Sequence, residues 1–277
     1  MRCFCIKMML KTLVLCENCV KIIKNNVMKL TKRWVSFALV GCGLCLMGCM
    51  PEAKPTKILK IGYTHYQPMN YMDEKQGMLV GFDAEFARQV CDELGYKAEF
   101  VEIIWVNKVQ DLKAGTIDCI WNGMTITQEL SAEILISDPY LANRQVAVVP
   151  LSFSKNPVSL SDFSMVAFED GGVAEFLLTK GNLPHSSMCE AATQRAALAE
   201  VVAGKADAAV IDYTMAKNMV GKDVYAGLTF VEIEGVETEY YGIGFRKEDA
   251  ELCNKVNQLI EKYKQDGTFE SLENKYL

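Results

Sequence analysis

From residue 58 onward, apolar residues follow two alternating patterns. Runs rich in Val, Ile, Phe and Tyr at 58–63, 98–104 and 117–121 predict strands. Between the first two, Phe82, Phe86, Val90, Cys91 and Leu94 recur at helical spacing, which predicts a helix from about Asp83 that Gly95 stops. A second helix is expected over 106–114, stopped by Gly115, while 64–81, with His65, Tyr66, Pro68 and Tyr71, reads as a loop. Strand, helix, strand, helix, strand implies a parallel sheet with helices on its faces, an α/β design.

The pattern then repeats. Strands are expected at 145–149, 165–168 and 208–211, with helices over 173–180 and 191–203, and 228–234 continues the second lobe. An apolar, glycine-punctuated segment, 240–245, precedes an amphipathic helix over 248–265 and a short one over 268–275. Two passages echo each other: 112–120 (LKAGTIDCI) and 201–209 (VVAGKADAA) each read as a helix end, Ala-Gly-x-x-Asp, then a buried strand. Two lobes of one design follow, 58–143 plus 241–277 and 144–240. Crossings near 143–149 and 239–244 form a two-strand hinge, a geometry that permits closure around a ligand.

Candidate chemistry gathers where those echoed strands end. The first delivers Asn122-Gly123, expected to turn, then hydroxyls at Thr125 and Thr127, and the stretch closes on Ser137-Asp138-Pro139-Tyr140. The second delivers Asp212-Tyr213. Open α/β sheets hold small ligands at the carboxyl ends of their strands, so these two ends define the jaws of a cleft. Bland readings stand beside each residue. Asp212 is also placed to cap a helix starting at Tyr213, Trp105 to pack in the core, and Gly171-Gly172 to ease a tight turn.

The first 48 residues read as a leader, with 1–27 upstream of the natural start at Met28. A basic segment, 28–33, precedes an uncharged run to Gly48, too short to span a bilayer comfortably. Leu46-Met47-Gly48-Cys49 resembles the lipobox of bacterial lipoproteins, which implies lipidation of Cys49, a tether over 49–57 and residence on the extracytoplasmic face of the membrane. The leader holds 8 of the 29 Lys+Arg and 1 of the 35 Asp+Glu, leaving 21 against 34, a net charge of −13. So acidic a body repels phosphate backbones and excludes nucleic acid as a partner. Of 11 cysteines, seven lie at or before Cys49; Cys91, Cys119, Cys189 and Cys253 remain, with His65 and His185 and no metal-ligand spacing. No metal or cofactor is expected.

Several segments in order, 81–95 (GFDAEFARQVCDELG), 112–127 (LKAGTIDCIWNGMTIT), 137–140 (SDPY), 203–212 (AGKADAAVID) and 240–249 (YYGIGFRKED), resemble the family 3 solute-binding proteins, the extracytoplasmic amino-acid receptors of ABC importers. The resemblance implies a two-lobed, type II periplasmic-binding-protein fold, a monomer that delivers a small solute to an ABC permease and its ATPase. It implies that Asp212 holds the solute's ammonium, that Asn122, Gly123, Thr125, Gly171 and Gly172 contribute backbone and hydroxyl contacts, that Tyr66 and Trp105 form aromatic walls, and that Tyr63 lies near the side-chain pocket. Two departures matter: Leu130 stands where the resemblance expects the Arg that binds the solute carboxylate, and Gly171-Gly172 where it expects Gly-Ser, which removes a hydroxyl but keeps backbone amides at a helix N-terminus. A bidentate Arg contact is worth roughly 1.5–3 kcal/mol per bond. Its absence points to substitution by another cation such as Arg144, to loss of binding or, preferred here, to an amine-bearing or modified solute.

Nothing in the sequence forms a catalytic set: no G-x-S-x-G elbow, no P-loop, and no acids paired by a local motif. The chain is read as a receptor, not an enzyme. A dehydratase-like enzyme or a sensor on the same scaffold are the alternatives, because fold does not fix function.

Overall fold

A computed structural model describes residues 57–277. Two sheets organise them. In the first, β4 (Tyr96–Glu102), β1 (Lys57–Tyr63) and β5 (Cys119–Thr125) run parallel, and β13 (Glu239–Phe245) lies antiparallel to β5. Short strands β6 (Leu135–Ile136) and β7 (Leu141–Asn143) pair with β13. In the second, β10 (Met188–Ala191), β9 (Val166–Glu169) and β11 (Ala208–Asp212) run parallel, and β8 (Gln145–Pro150) is antiparallel to both β11 and β12 (Leu228–Glu232).

The chain leaves the first sheet at Asn143 and enters the second at Gln145, with Arg144 alone between them. It returns between Glu232 and Glu239.

Helix α1 (Phe82–Leu94) forms where the apolar spacing predicts it. Phe82, Phe86 and Val90 are fully buried, and Gly95 ends the helix at φ 73, the left-handed conformation that glycine adopts at least cost. Helices α7 (Ala250–Gln265) and α8 (Thr268–Tyr276) close over α1. Phe269 of α8 stacks on Phe82, with centroids 5.9 Å apart, and Phe86 meets Trp121 edge-on at 4.7 Å. Each such buried aromatic stabilises the fold by on the order of 2–3 kcal/mol.

Four local readings need correction. Residues 64–81 are not all loop: β2 (Tyr71–Asp73) and β3 (Met78–Val80) pair as a hairpin. The helix expected over 106–114 begins as a single 3-10 turn, Trp105–Asn107, and continues as α2 (Lys108–Ala114). The helix expected over 191–203 is shorter, because Ala191 belongs to β10 and the Thr193 hydroxyl, accepting from the Ala196 N–H, starts α5 at Gln194–Val202. Asn122-Gly123 does not turn. The strand runs on to Thr125 and bulges, with Gly242 pairing Met124 and Gly244 pairing Ile120. Gly123 takes φ 57, and a Cβ there would lie 2.6 Å from the Tyr66 ring.

The leader, Cys49 and most of the tether lie outside the described residues. Among those described, no helix is long and apolar enough to cross a membrane.

Candidate functional site

The carboxyl ends of β5 and of β9 and β11 face one cavity, with about 190 Å³ of water-accessible space. Tyr66, Trp105, Asn122, Gly123, Thr125 and Leu130 line it from the first sheet's side, and Glu169, Gly171, Gly172, Gln194 and Asp212 from the second's. Tyr63 does not line it. Its ring packs into a satellite cluster with Leu79, Ala84 and Phe100, since alternation along β1 turns it to the face beneath α1.

Asp212 ends β11 and is 4 % exposed. One carboxylate oxygen accepts from Asn143 Nδ2 at 2.7 Å and Gln145 Nε2 at 2.6 Å, and the other from Gln194 Nε2. Its own N–H donates to Gln194 Oε1 at 2.9 Å. The carboxylate therefore does not cap the helix that starts at Tyr213, α6 (Tyr213–Met219), which has no side-chain cap bond. Burial pushes its pKa up, opposed by the amide bonds.

Two further acids surround it, neither singled out from sequence. Glu239, first residue of β13, accepts from the same two amides at 2.6 and 2.7 Å and from the Thr125 hydroxyl at 3.1 Å. Burial, then the Asp212 charge, raises it to about 7. Glu169, last residue of β9, lines the cavity, and burial followed by the Asp212 charge raises it to about 8. The signal was present: Glu169 ends its apolar strand just as Asp212 ends β11.

The first wall spends its polar groups internally. The Asn122 amide donates to Thr64 Oγ1 at 2.7 Å and its oxygen accepts from Thr64 N and Asn70 Nδ2. Thr127 caps α3 (Gln128–Glu133) by accepting from Leu130 N. Gly123 N–H donates to the buried Asp83 carboxylate at 2.6 Å, which also accepts from the Tyr140 hydroxyl. The Tyr66 and Tyr241 hydroxyls share a 2.6 Å bond.

The glycine pair on the second wall offers less to an anion than its position suggests. Gly171 N–H donates to Glu175 Oε2 at 3.0 Å and Gly172 N–H to Glu169 O at 3.1 Å, so both amides are engaged before α4 (Val173–Lys180) begins. Arg144 does not substitute for the missing guanidinium. It forks onto Glu232 at 2.8 and 3.0 Å and lies over the Tyr213 ring, outside the cavity lining. Lys108, the first residue of α2, is the lysine that does line the cavity. It sits 4.5 Å from the centroid of Trp105, a ring that belongs at once to the wall and to a core cluster.

The cavity thus brings together buried acids, amides and one buried ammonium, a polar lining of the kind that orients a small polar solute. Among the described residues, no group of three His, Cys, Asp or Glu is arranged to hold a metal ion.

Residues 59–277 match the sequence model of the bacterial extracellular solute-binding proteins, family 3. The chain is 28 % identical over 256 residues to the probable ABC transporter arginine-binding protein ArtJ of Chlamydia trachomatis, covering 90 % of this chain and 97 % of that protein. It is 31 % identical over 208 residues to the histidine-binding periplasmic protein of Salmonella typhimurium, covering 73 % and 80 %. Among solved structures, an ancestral arginine-binding protein bound to arginine superposes with a TM-score of 0.73 at 30 % identity, covering 79 % of this chain and 98 % of that one.

Proposed function

The chain belongs to the bacterial extracellular solute-binding proteins, family 3, and from that premise we propose that it is the receptor of an ABC importer for a cationic amino acid or an amine-bearing relative. A lipid on Cys49 holds it at the extracytoplasmic face. Lobes 58–143 plus 241–277 and 144–240 close on the solute and present it, as a monomer, to a permease and its ATPase.

One observation carries the reading of the solute: the buried Asp212 carboxylate and the Glu169 carboxyl line one cavity, with Glu239 on the same amides behind them. Acids held this way are costly without a cation, and a positively charged solute offsets that cost. The names of the relatives that bind arginine and histidine support the same class. In this arrangement Tyr66 and Trp105 flank the solute, Gly123 and Thr125 form the rim, and Asp212 takes its ammonium. Calorimetry with a panel of basic, neutral and acidic amino acids and their decarboxylated amines tests this. Basic members are expected to bind at micromolar concentration or tighter, and preference for an acidic or apolar one would reject the reading.

A second reading draws on Glu169. A carboxyl protonated to about pH 8 beside a carboxylate is an acid–base pair, which suits an enzyme on the same scaffold. Solute recovered unchanged after incubation supports the receptor. Turnover lost in Asp212→Asn supports the enzyme.

A further inference from the structure

Leu130, third residue of α3, lines the cavity at the position where the family resemblance expects the carboxylate-binding Arg. The opposite glycine loop has engaged its amides, Gly171 N–H on the Glu175 carboxylate and Gly172 N–H on the Glu169 main-chain carbonyl. An amino acid bound here finds no partner for its carboxylate in either feature, yet the same cavity is lined by a buried ammonium.

Lys108 is 6 % exposed. Its Nζ donates to Gly171 O on the opposite wall at 2.8 Å, and less closely to Trp105 O at 3.4 Å. An ammonium has three N–H donors, and here two meet neutral carbonyls. Among the described residues no ion pair includes it. Glu169, Asp170 and Glu175 are the acids whose charge it senses, and the first is protonated at neutral pH. A buried ammonium left without an anion is expensive, and burial lowers its pKa accordingly. His65, the other basic side chain of the lining, is half-exposed and lies 3.7 Å from Glu102.

We infer that Lys108 binds the carboxylate of the solute, supplying from the head of α2 the charge that position 130 lacks. The inference rests on the solute being a cationic amino acid. The ammonium already touches both walls through its bond to Gly171 O, at a point where they approach so closely that a Cβ on Gly171 would come within 2.8 Å of Val106 Cα.

The test pairs L-arginine with agmatine, which is arginine without its carboxylate, by calorimetry on the full chain. Lys108→Met is expected to weaken arginine by about 10- to 100-fold and leave agmatine unchanged or tighter. Lys108→Gln, which keeps a polar N–H donor in place of the ammonium, is expected to do the same and guards against misfolding of the methionine variant. Equal losses for both ligands, or none for arginine, would overturn the inference and leave Lys108 a strut between the walls. If neither ligand binds the unaltered chain, the reading of the solute falls, and the inference with it.

Discussion

Strands β5 and β11 begin alike and end differently. Each follows a helix that stops at Ala-Gly with the glycine left-handed, φ 74 at Gly115 and 69 at Gly204. Each then places an aspartate that clasps the neighbouring parallel strand in both directions. Asp118 N–H donates to Lys60 O while its carboxylate accepts from Lys60 N, and Asp207 N–H donates to Met165 O while its carboxylate accepts from Met165 N. The repeated letters thus have a structural cause, the registration of a strand against its neighbour. At their far ends the strands part: β5 delivers Asn122, Gly123 and Thr125, whose polar groups are used within the protein, while β11 delivers Asp212, a buried carboxylate presented to the cavity. The shared end maintains the fold, and the far end of β11 sets a buried charge, held by three amides, at the cavity.

The contrast is broken most severely at Asp212. Asp212→Ala strands the amides of Asn143, Gln145 and Gln194 and removes the counter-charge of the solute, so binding of a basic amino acid is expected to fall by at least about 100-fold in calorimetry. Asn122→Ala should cost binding far less, because its amide serves Thr64 and Asn70 and its loss is felt in thermal stability instead. Equal binding losses at the two positions would remove the asymmetry between the strand ends.

Protonation gives the next largest effect. Glu169 titrates near 8 because of burial and the Asp212 charge, with Lys108 and Gln194 pulling the other way. A cationic solute prefers the ionised carboxylate, so affinity is expected to rise about tenfold from about pH 6 to about pH 8, and binding should release protons. Glu169→Gln should flatten that profile. Stability responds with the opposite sign. Asp83, Glu239 and Glu169 hold their protons in the fold up to about 7, 7 and 8 but ionise in the unfolded chain from the ordinary carboxyl range upward. The unfolded state then binds fewer protons, so stability is full below that range and declines as pH rises to about 8. Melting followed across this window should show the unliganded protein weakening as its affinity for a basic solute grows.

Much of the fold was legible because it is written in local spacing. The apolar recurrence of α1, Gly95, Gly115 and the echoed Ala-Gly-x-x-Asp passages each act within a few residues of themselves. What escaped was decided by distant partners. Asn122-Gly123 is turn chemistry by composition, but β13 and the Tyr66 ring keep it in the sheet. Asp212 is cap chemistry by position, but Gln145 and Gln194 take its carboxylate. The acid cluster joins residues 169, 212 and 239, and Lys108 falls within the helix expected over 106–114, where nothing nearby in sequence reveals that Gly171 faces it. Arg144, the cation that the sequence offers as one possible substitute, is held instead by Glu232.

The two clasps at the shared end offer the finest test of the comparison. Both aspartates accept two hydrogen bonds, but their surroundings differ. Asp118 is half-buried, and its second oxygen holds the guanidinium of Arg246 at 3.0 Å, itself 18 % exposed and bonded to Ile117 O. Asp118→Ala leaves a partly desolvated N–H on Lys60 and an arginine short of a partner, a cost of about 2 kcal/mol. Asp207 is exposed, and the amides of Ser164 and Met165 that it accepts from can turn to water, so Asp207→Ala should cost about 1 kcal/mol or less. Chemical denaturation of the two variants should rank them in that order with unchanged m-values. If Asp207→Ala proved the more damaging, burial would not be what separates the two copies, and the clasp of the second sheet would have to be carrying the register of β9 against β11 alone.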